Sequence, residues 1–213
     1  MTFNRRDTLR MLVGGAAVSA TSHLTFPSLA HASTGYEPVA REDGSYTQSW
    51  FLDSFLELND DLSEAHGAGK RFAVIWEQAG CPYCREMHKV NFAIPEITDW
   101  IKERHEIVQL DMWGAREVVD FAGETMEERA LAGKWGIHFT PTILFFKEDP
   151  AAVEGKDLRE AKVFRVPGYF KPFHFLSAFE YVHANAYEKQ PFQRFLQDKF
   201  TKLEAEGKKA DVW

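Results

Sequence analysis

The sequence predicts an α/β domain, a sheet of short apolar strands covered by helices, and three observations carry that prediction. Apolar runs at 72–76, 107–111, 142–146 and 163–166 have the length and composition of strands, and amphipathic stretches separate them. The 213 residues are 45% hydrophobic and 27% charged, which fits one folded domain and excludes wholesale disorder. The only two cysteines stand three positions apart, just beyond the first apolar run.

Taken in order, residues 33–45 read as a polar linker. Over 50–66 the residues Phe51, Phe55, Leu58, Leu62 and Ala65 recur every three or four positions, as one face of a helix requires. Gly67-Ala68-Gly69 ends it. Phe72 to Trp76 is almost wholly apolar, the pattern of a strand buried on both faces. A loop, Glu77 to Gly80, leads into Cys81-Pro82-Tyr83-Cys84. Helices are expected at 85–91 and, after the break at Pro95, at 94–103, followed by the strand 107–111.

Residues 124–135 read as a helix with Met126, Ala130, Leu131 and Trp135 inward. The loop 136–141 precedes the strand 142–146, and a charged connection, 148–162, leads to the strand 163–166 and a turn at Pro167-Gly168. A helix over 171–187 places Phe175, Phe179, Val182 and Ala186 on one side. The C-terminal extension from about 188 carries a last helix, 192–209. Strands alternating with helices give the α/β layer arrangement, with about four to five strands and no second domain within 46–213.

Residues 1–32 read as a cleaved export signal. Arg5-Arg6 precede the weakly apolar stretch 11–20, and Ala30-His31-Ala32 supplies a small-x-small cleavage site. The arginine pair resembles a twin-arginine signal, although Thr8 stands where such signals carry Phe; a Sec signal is the alternative. Cleavage removes three Arg and one Asp, so the formal charge moves from −7 to −9. The mature chain is then expected in a bacterial periplasm, where disulfides persist. So acidic a surface argues against nucleic-acid partners. No apolar run reaches the length of about 18 residues that spans a membrane.

A cysteine pair this close encloses too small a ring to stabilise much chain, which points to chemistry rather than stapling. At a helix N-terminus the free backbone N–H groups and the axial dipole favour a thiolate. A cysteine so placed has its pKa drawn from about 8.5 into a range of roughly 3.5 to 7.5. Cys81 is the expected exposed nucleophile, Pro82 suits the first helical position, and Cys84 lies one turn deeper as the resolving thiol. A structural zinc site lacks ligands, since one cysteine pair with scattered histidines is too few. A structural disulfide and a pair of buried free thiols also compete with the redox assignment.

The order of these elements, with Cys-Pro-Tyr-Cys after the first strand and Thr140-Pro141 before an apolar strand 56 residues beyond Cys84, resembles the thioredoxin fold. The stretch from Glu77 to Met87 is similar to periplasmic thioredoxin-like proteins associated with sulfur oxidation. The resemblance covers about residues 47–187. It implies a cis Thr140–Pro141 bond facing the cysteines, with the backbone of Thr140 pairing to an extended substrate segment. Cytosolic thioredoxins carry a buried aspartate six residues before the first cysteine, where this chain has Ile75. Glu77 is therefore the candidate proton relay for Cys84, with a solvated loop glutamate as the alternative. His88, four residues after Cys84, is expected on the solvent side of its helix, with a position facing Cys84 across one helical turn as the alternative, and Trp76, Trp113, Trp135, Phe145 and Phe146 are expected in the core. Tyr83, Phe170 and Phe173 are expected to be exposed near the active face.

The implied activity is thiol–disulfide oxidoreduction through a Cys81–Cys84 couple, in the reducing direction and without cofactor or metal. Client protein disulfides or sulfur adducts would be the substrates, and a membrane thiol-electron transporter the electron donor. The mature chain is expected to be a monomer without stable membrane insertion. A DsbA-like oxidant or isomerase is the second enzymatic reading, and a non-catalytic binding or metal-capture module the rival from another class. The exported protein is expected to begin at Ser33; N-terminal sequencing checks this, and a start elsewhere refutes the cleavage site.

Overall fold

A computed structural model describes residues 36–208. The export signal expected over residues 1–32 lies outside the described residues.

The segment expected as a polar linker folds. Strands β1 (Val39–Ala40) and β2 (Tyr46–Thr47) form a small antiparallel hairpin turned at Gly44, whose φ is 79°. The chain then runs along the main sheet, Leu52 N–H donating to the Ile107 carbonyl at 2.9 Å. Trp50 and Phe51 pack edge-on against Phe92. Residues 36–57 are thus an arm laid on the domain.

Helix α1 spans Leu58–Gly67, so the helix expected from residue 50 starts eight residues late. Two facts explain this. Leu56 has φ 65°, in the left-handed region that a helix does not cross, and its carbonyl accepts from Val119 N–H at 2.9 Å. Phe55, assigned to the inward face, is 97% exposed. Within α1 itself Leu58, Asp61, Leu62 and Ala65 are buried, the i, i+3, i+4, i+7 stripe.

Strand β3 (Arg71–Glu77) is buried throughout. Helix α2 (Pro82–Glu86) runs on into a π-turn, Met87–Asn91, and α3 (Pro95–Arg104) leads to β4 (His105–Asp111). The helix expected at 124–135 is shortened. Thr125–Glu127 is strand β6, paired antiparallel with β5 (Glu117–Val119), and only Glu128–Lys134 is helix α4. The pairing aligns Val118 with Met126, a period of two that helical spacing concealed, and leaves Ala130 exposed.

Strand β7 (Thr142–Phe146) is followed by a 3₁₀ turn at Pro150–Ala152, a one-turn helix α5 (Leu158–Ala161) and β8 (Lys162–Pro167). Helix α6 (Pro172–His183) ends four residues before the expected 187, because Asn185 turns left-handed at φ 50°. Its side-chain oxygen accepts from Arg71 Nη1 at 2.8 Å, and Arg71 also pairs with Glu148 at 2.9 Å. Helix α7 (Phe192–Ala205) forms the C-terminal extension.

The main sheet has four strands in the order β4-β3-β7-β8, β4 parallel to β3 and the other pairings antiparallel. Alternation along β3 sends Phe72, Val74 and Trp76 into a core with α1 and α4. Ala73 and Ile75 go to the other face, into a core with Met87, α3 and α6. Each buried side chain of this size is worth about 1.5–3 kcal/mol of transfer free energy. Cys81, Glu77 and the loop before Pro141 all lie at one end of β3 and β7.

Asp61 is a polar member of the α1 stripe. Burial raises its pKa to about 6, against the 2.6 Å hydrogen bond from Ser54 Oγ, which lowers it. Folded Asp61 therefore holds its proton to higher pH than the unfolded chain does. The resulting stabilisation is complete below about pH 4 and is lost as pH rises through about 6. Asp61→Asn is expected to raise stability at pH 7 by about 1–3 kcal/mol and to flatten its fall between pH 4 and 6, read by urea denaturation.

Candidate active site

Two chain turns meet at one sulfur. Gly80, with φ 72°, lets the chain leave β3 and enter α2 within four residues. Cys81 caps that helix. Its Sγ accepts from Cys84 N–H at 3.1 Å, and Pro82 occupies the first helical position, where no N–H is needed. Cys81 and Cys84 are joined as a disulfide. Cys81 is 8% exposed, so the sulfur expected to be open is largely covered, and Cys84 is deeper at 3%.

The second turn comes from the other end of the chain. The Thr140–Pro141 bond is cis. Thr140 Oγ1 donates to Cys81 Sγ at 3.4 Å, and the Thr140 carbonyl oxygen lies 3.5 Å from the same sulfur. Thr142 Oγ1 donates to the Phe139 carbonyl at 2.7 Å, and Gly168 N–H donates to the Pro141 carbonyl at 2.8 Å. Thr140 and Pro141 are thereby held beside the disulfide from both sides.

Glu77 is buried, not a solvated loop residue; only 2% of it is exposed. Its Oε1 meets His88 Nε2 at 2.9 Å. His88, expected on the solvent side of its helix, is fully buried. The π-turn after α2 rotates it inward, among the rings of Tyr46, Phe51 and Phe92. Its Nδ1 lies 3.1 Å from Gln48 Nε2, a side chain brought in by the N-terminal arm. Burial raises the pKa of Glu77; contact with His88, the Gln109 amide and the charge of Arg41 pull it back only in part. No hydrogen bond joins Glu77 to either sulfur among the described residues.

Behind Glu77 lies a cavity of about 400 Å³, lined among others by Arg41, Ser45, Gln109, Asp111 and Arg116. Glu77 Oε2 and Gln109 Oε1 are buried without partners among the described residues. Among those residues no group of three or more His, Cys, Asp or Glu could hold a metal ion.

Exposed aromatics surround the disulfide. Tyr83 is 61% exposed and stacks on Tyr169, whose hydroxyl donates to Asn91 Oδ1 at 3.0 Å. Phe139, next to Thr140, is 64% exposed. Trp113, expected in the core, is 68% exposed; its Nε1–H donates to Gln78 Oε1 at 2.6 Å, and Gln78 precedes the cysteines by three residues. Phe170 and Phe173, expected to be exposed here, are half-buried, Phe170 against Phe192 and Phe173 beneath Lys199.

Sequence reasoning missed His88, Gln48, Trp113 and Phe139. Position four after Cys84 was the available signal for His88, but helical periodicity does not reveal a π-turn. Trp113 and Phe139 sit in loops, where hydrophobicity alone does not decide burial.

A family model described as a thioredoxin-like domain matches residues 58–183. The chain belongs to this family. A thioredoxin-fold protein from Helicobacter pylori is 21% identical over 63% of this chain and 81% of its own, with a TM-score of 0.47. A thioredoxin from Thermus thermophilus is 20% identical over 59% and 83%, with a TM-score of 0.44. The C-terminal domain of Neisseria meningitidis DsbD in its oxidised form is 18% identical over 58% and 87%, with a TM-score of 0.39. No curated protein matches the chain in sequence.

The Trp113 loop is built on Glu128, which is 1% exposed and accepts from Asp111 N–H at 2.9 Å and from Arg116 Nη2 at 2.5 Å. A Cβ at Gly114 would collide with Glu128 Oε2. Gly114→Ala is therefore expected to lose about 1–3 kcal/mol in urea denaturation and to shift the Trp fluorescence of the oxidised protein; an unchanged midpoint would show that the loop yields freely.

Proposed function

We propose that the mature protein is an exported thiol–disulfide oxidoreductase of the sulfur-oxidation type, working as a monomer in the reducing direction. The observation that carries the reading is the convergence of helix-capping Cys81, its partner Cys84 and the Thr140–Pro141 turn on one sulfur. A binding module has no need of that arrangement. The clients are periplasmic protein disulfides or cysteine sulfur adducts. Tyr83, Phe139 and Trp113 give them an apolar rim, and the backbone at Thr140 gives an extended segment a place to pair.

In the dithiol form, Cys81 thiolate attacks one client sulfur. The other leaves as a thiolate and takes a proton. Cys84 gives up its proton and attacks Cys81 Sγ, which releases the second client thiolate and closes the Cys81–Cys84 bond. Two electrons pass from enzyme to client. A dithiol of a membrane thiol-electron transporter then reduces the enzyme again. Glu77, its pKa raised by burial, is the group we assign to receive the Cys84 proton, in its carboxylate form.

Cys81→Ser is expected to abolish the protein's acceleration of insulin reduction by dithiothreitol, leaving only the uncatalysed rate. Full activity in that variant would return the chain to the binding-module reading. Equilibration of the couple with glutathione is expected to give a potential in the glutaredoxin range, roughly −200 to −230 mV, and a value near about −120 mV would reverse the direction.

A further inference from the structure

The arm that precedes the family-matched region reaches into the site, and Gln48 is the arm side chain that meets His88 by hydrogen bond. Gln48 is 3% exposed, His88 is fully buried and Glu77 nearly so, and the three form one line of hydrogen bonds. The family model begins at residue 58, so Gln48 lies outside it.

The placement of the Gln48 amide, with Nε2 toward His88, sets the direction of the line. A glutamine Nε2 carries two hydrogens and accepts nothing. His88 Nδ1, 3.1 Å away, must therefore be the acceptor. A neutral imidazole with Nδ1 unprotonated carries its hydrogen on Nε2, and Nε2 faces Glu77 Oε1 at 2.9 Å. A second proton on Nδ1 would point at the amide hydrogens of Gln48, donor against donor. The faces of the imidazole are packed by the rings of Tyr46, Phe51 and Phe92.

The remaining place for a mobile proton is the free oxygen of Glu77. That oxygen, Oε2, has no partner among the described residues, and Glu77 lines the polar cavity together with Gln109, whose Oε1 is likewise buried and unpartnered. Two orphaned acceptors on one cavity wall leave a place for one hydrogen between them, so an ionised Glu77 can take up a proton there. The charged groups facing Glu77 are Arg41 and Asp43 from the arm, Asp111 from β4, Arg116 from the following loop and Glu128 from α4, with His88 on its other side.

We propose that Gln48 is a positioning residue that locks His88 in its Nε2–H tautomer and so confines the exchangeable proton of the redox site to Glu77, on the cavity side. The consequence for turnover is geometrical. While a client is joined to Cys81 it covers the aromatic rim, and the Cys84 proton is taken up by the ionised Glu77 on its cavity-side oxygen, away from the client, before passing to solvent in the cavity. The turnover part rests on the oxidoreductase reading above; the tautomer does not.

The test is nitrogen NMR of the His88 ring in the full chain, oxidised, at pH 7. Expected are one protonated nitrogen, Nε2, and one bare nitrogen, Nδ1. The nearly isosteric Gln48→Glu replaces a donor with an acceptor and is expected to convert His88 to the doubly protonated form at the same pH. A wild-type His88 protonated on Nδ1, or an unaltered ring in Gln48→Glu, overturns the proposal. Gln48→Leu is expected to slow the attack of Cys84 on a preformed mixed disulfide roughly tenfold while sparing the attack of Cys81, less than the roughly 10²–10⁴ that an acid–base group itself supplies, because Gln48 acts only through His88. An equal loss in both steps would mark Gln48 as structural only. Wrong tautomers with normal turnover refute Gln48 alone, whereas correct tautomers without turnover refute the oxidoreductase reading.

Discussion

Cys81 Sγ is the point where two distant turns of the chain are tied together, and the rest of the site follows from that constraint. The sulfur caps α2 through Cys84 N–H, and it receives Thr140 Oγ1 from a loop 59 residues away. Each turn is fixed to the sheet by its own strand, Gly80 following β3 and Pro141 preceding β7, and those strands pair directly. The separation of the cysteines from Thr140 is thus set by an antiparallel ladder rather than by the loops. Loops positioned by a rigid scaffold are what a reactive centre needs. An attacking sulfur displaced by about an ångström loses much of its advantage.

The same sheet explains which parts could be read from the sequence. β3 and β7 are buried on both faces, so their apolar runs stood out, and the cysteine pair and Thr140-Pro141 were legible beside them. The errors fall where local pattern and tertiary contact disagree. Residues 50–57 carry helical spacing, yet the Leu56 carbonyl is claimed by Val119 and Leu56 bends left-handed. Residues 125–127 carry helical spacing too, but Val118 across the hairpin gives Met126 a strand partner. The fully buried His88 depends on a π-turn, and its partner Gln48 comes from an arm whose composition reads as linker. A single sequence contains no signal for a contact that spans 40 residues and depends on one inserted backbone turn.

Two buried histidines show how differently the fold treats the same side chain. His105 begins β4, and both of its nitrogens lack partners among the described residues. It packs against Trp100, Phe145, Phe179 and His183, and burial lowers its pKa well below the ordinary value, so it is a neutral aromatic filler. His88 is as deeply buried but has a polar neighbour on each nitrogen. Packing accounts for His105 completely. It does not account for His88, since an apolar aromatic residue there would leave the buried Glu77 carboxyl without its 2.9 Å partner.

The burial of Glu77 makes the same point from the other partner. A carboxyl with 2% exposure and one free oxygen is destabilising unless it is protonated or solvated, and it stands at the one end of β3 where the cysteines begin. Ile75, two residues earlier on the same face, shows that the core accepts an aliphatic side chain without difficulty. The carboxyl is thus tolerated only at the mouth of the strand, where a cavity reaches it from behind and a histidine from the side. Groups that burden stability and cluster around a reactive pair are where function is expected to reside. By that argument the arm is a working part of the site rather than an ornament on it, since without residues 36–57 neither Gln48 nor the Arg41 and Ser45 wall of the cavity would be in place.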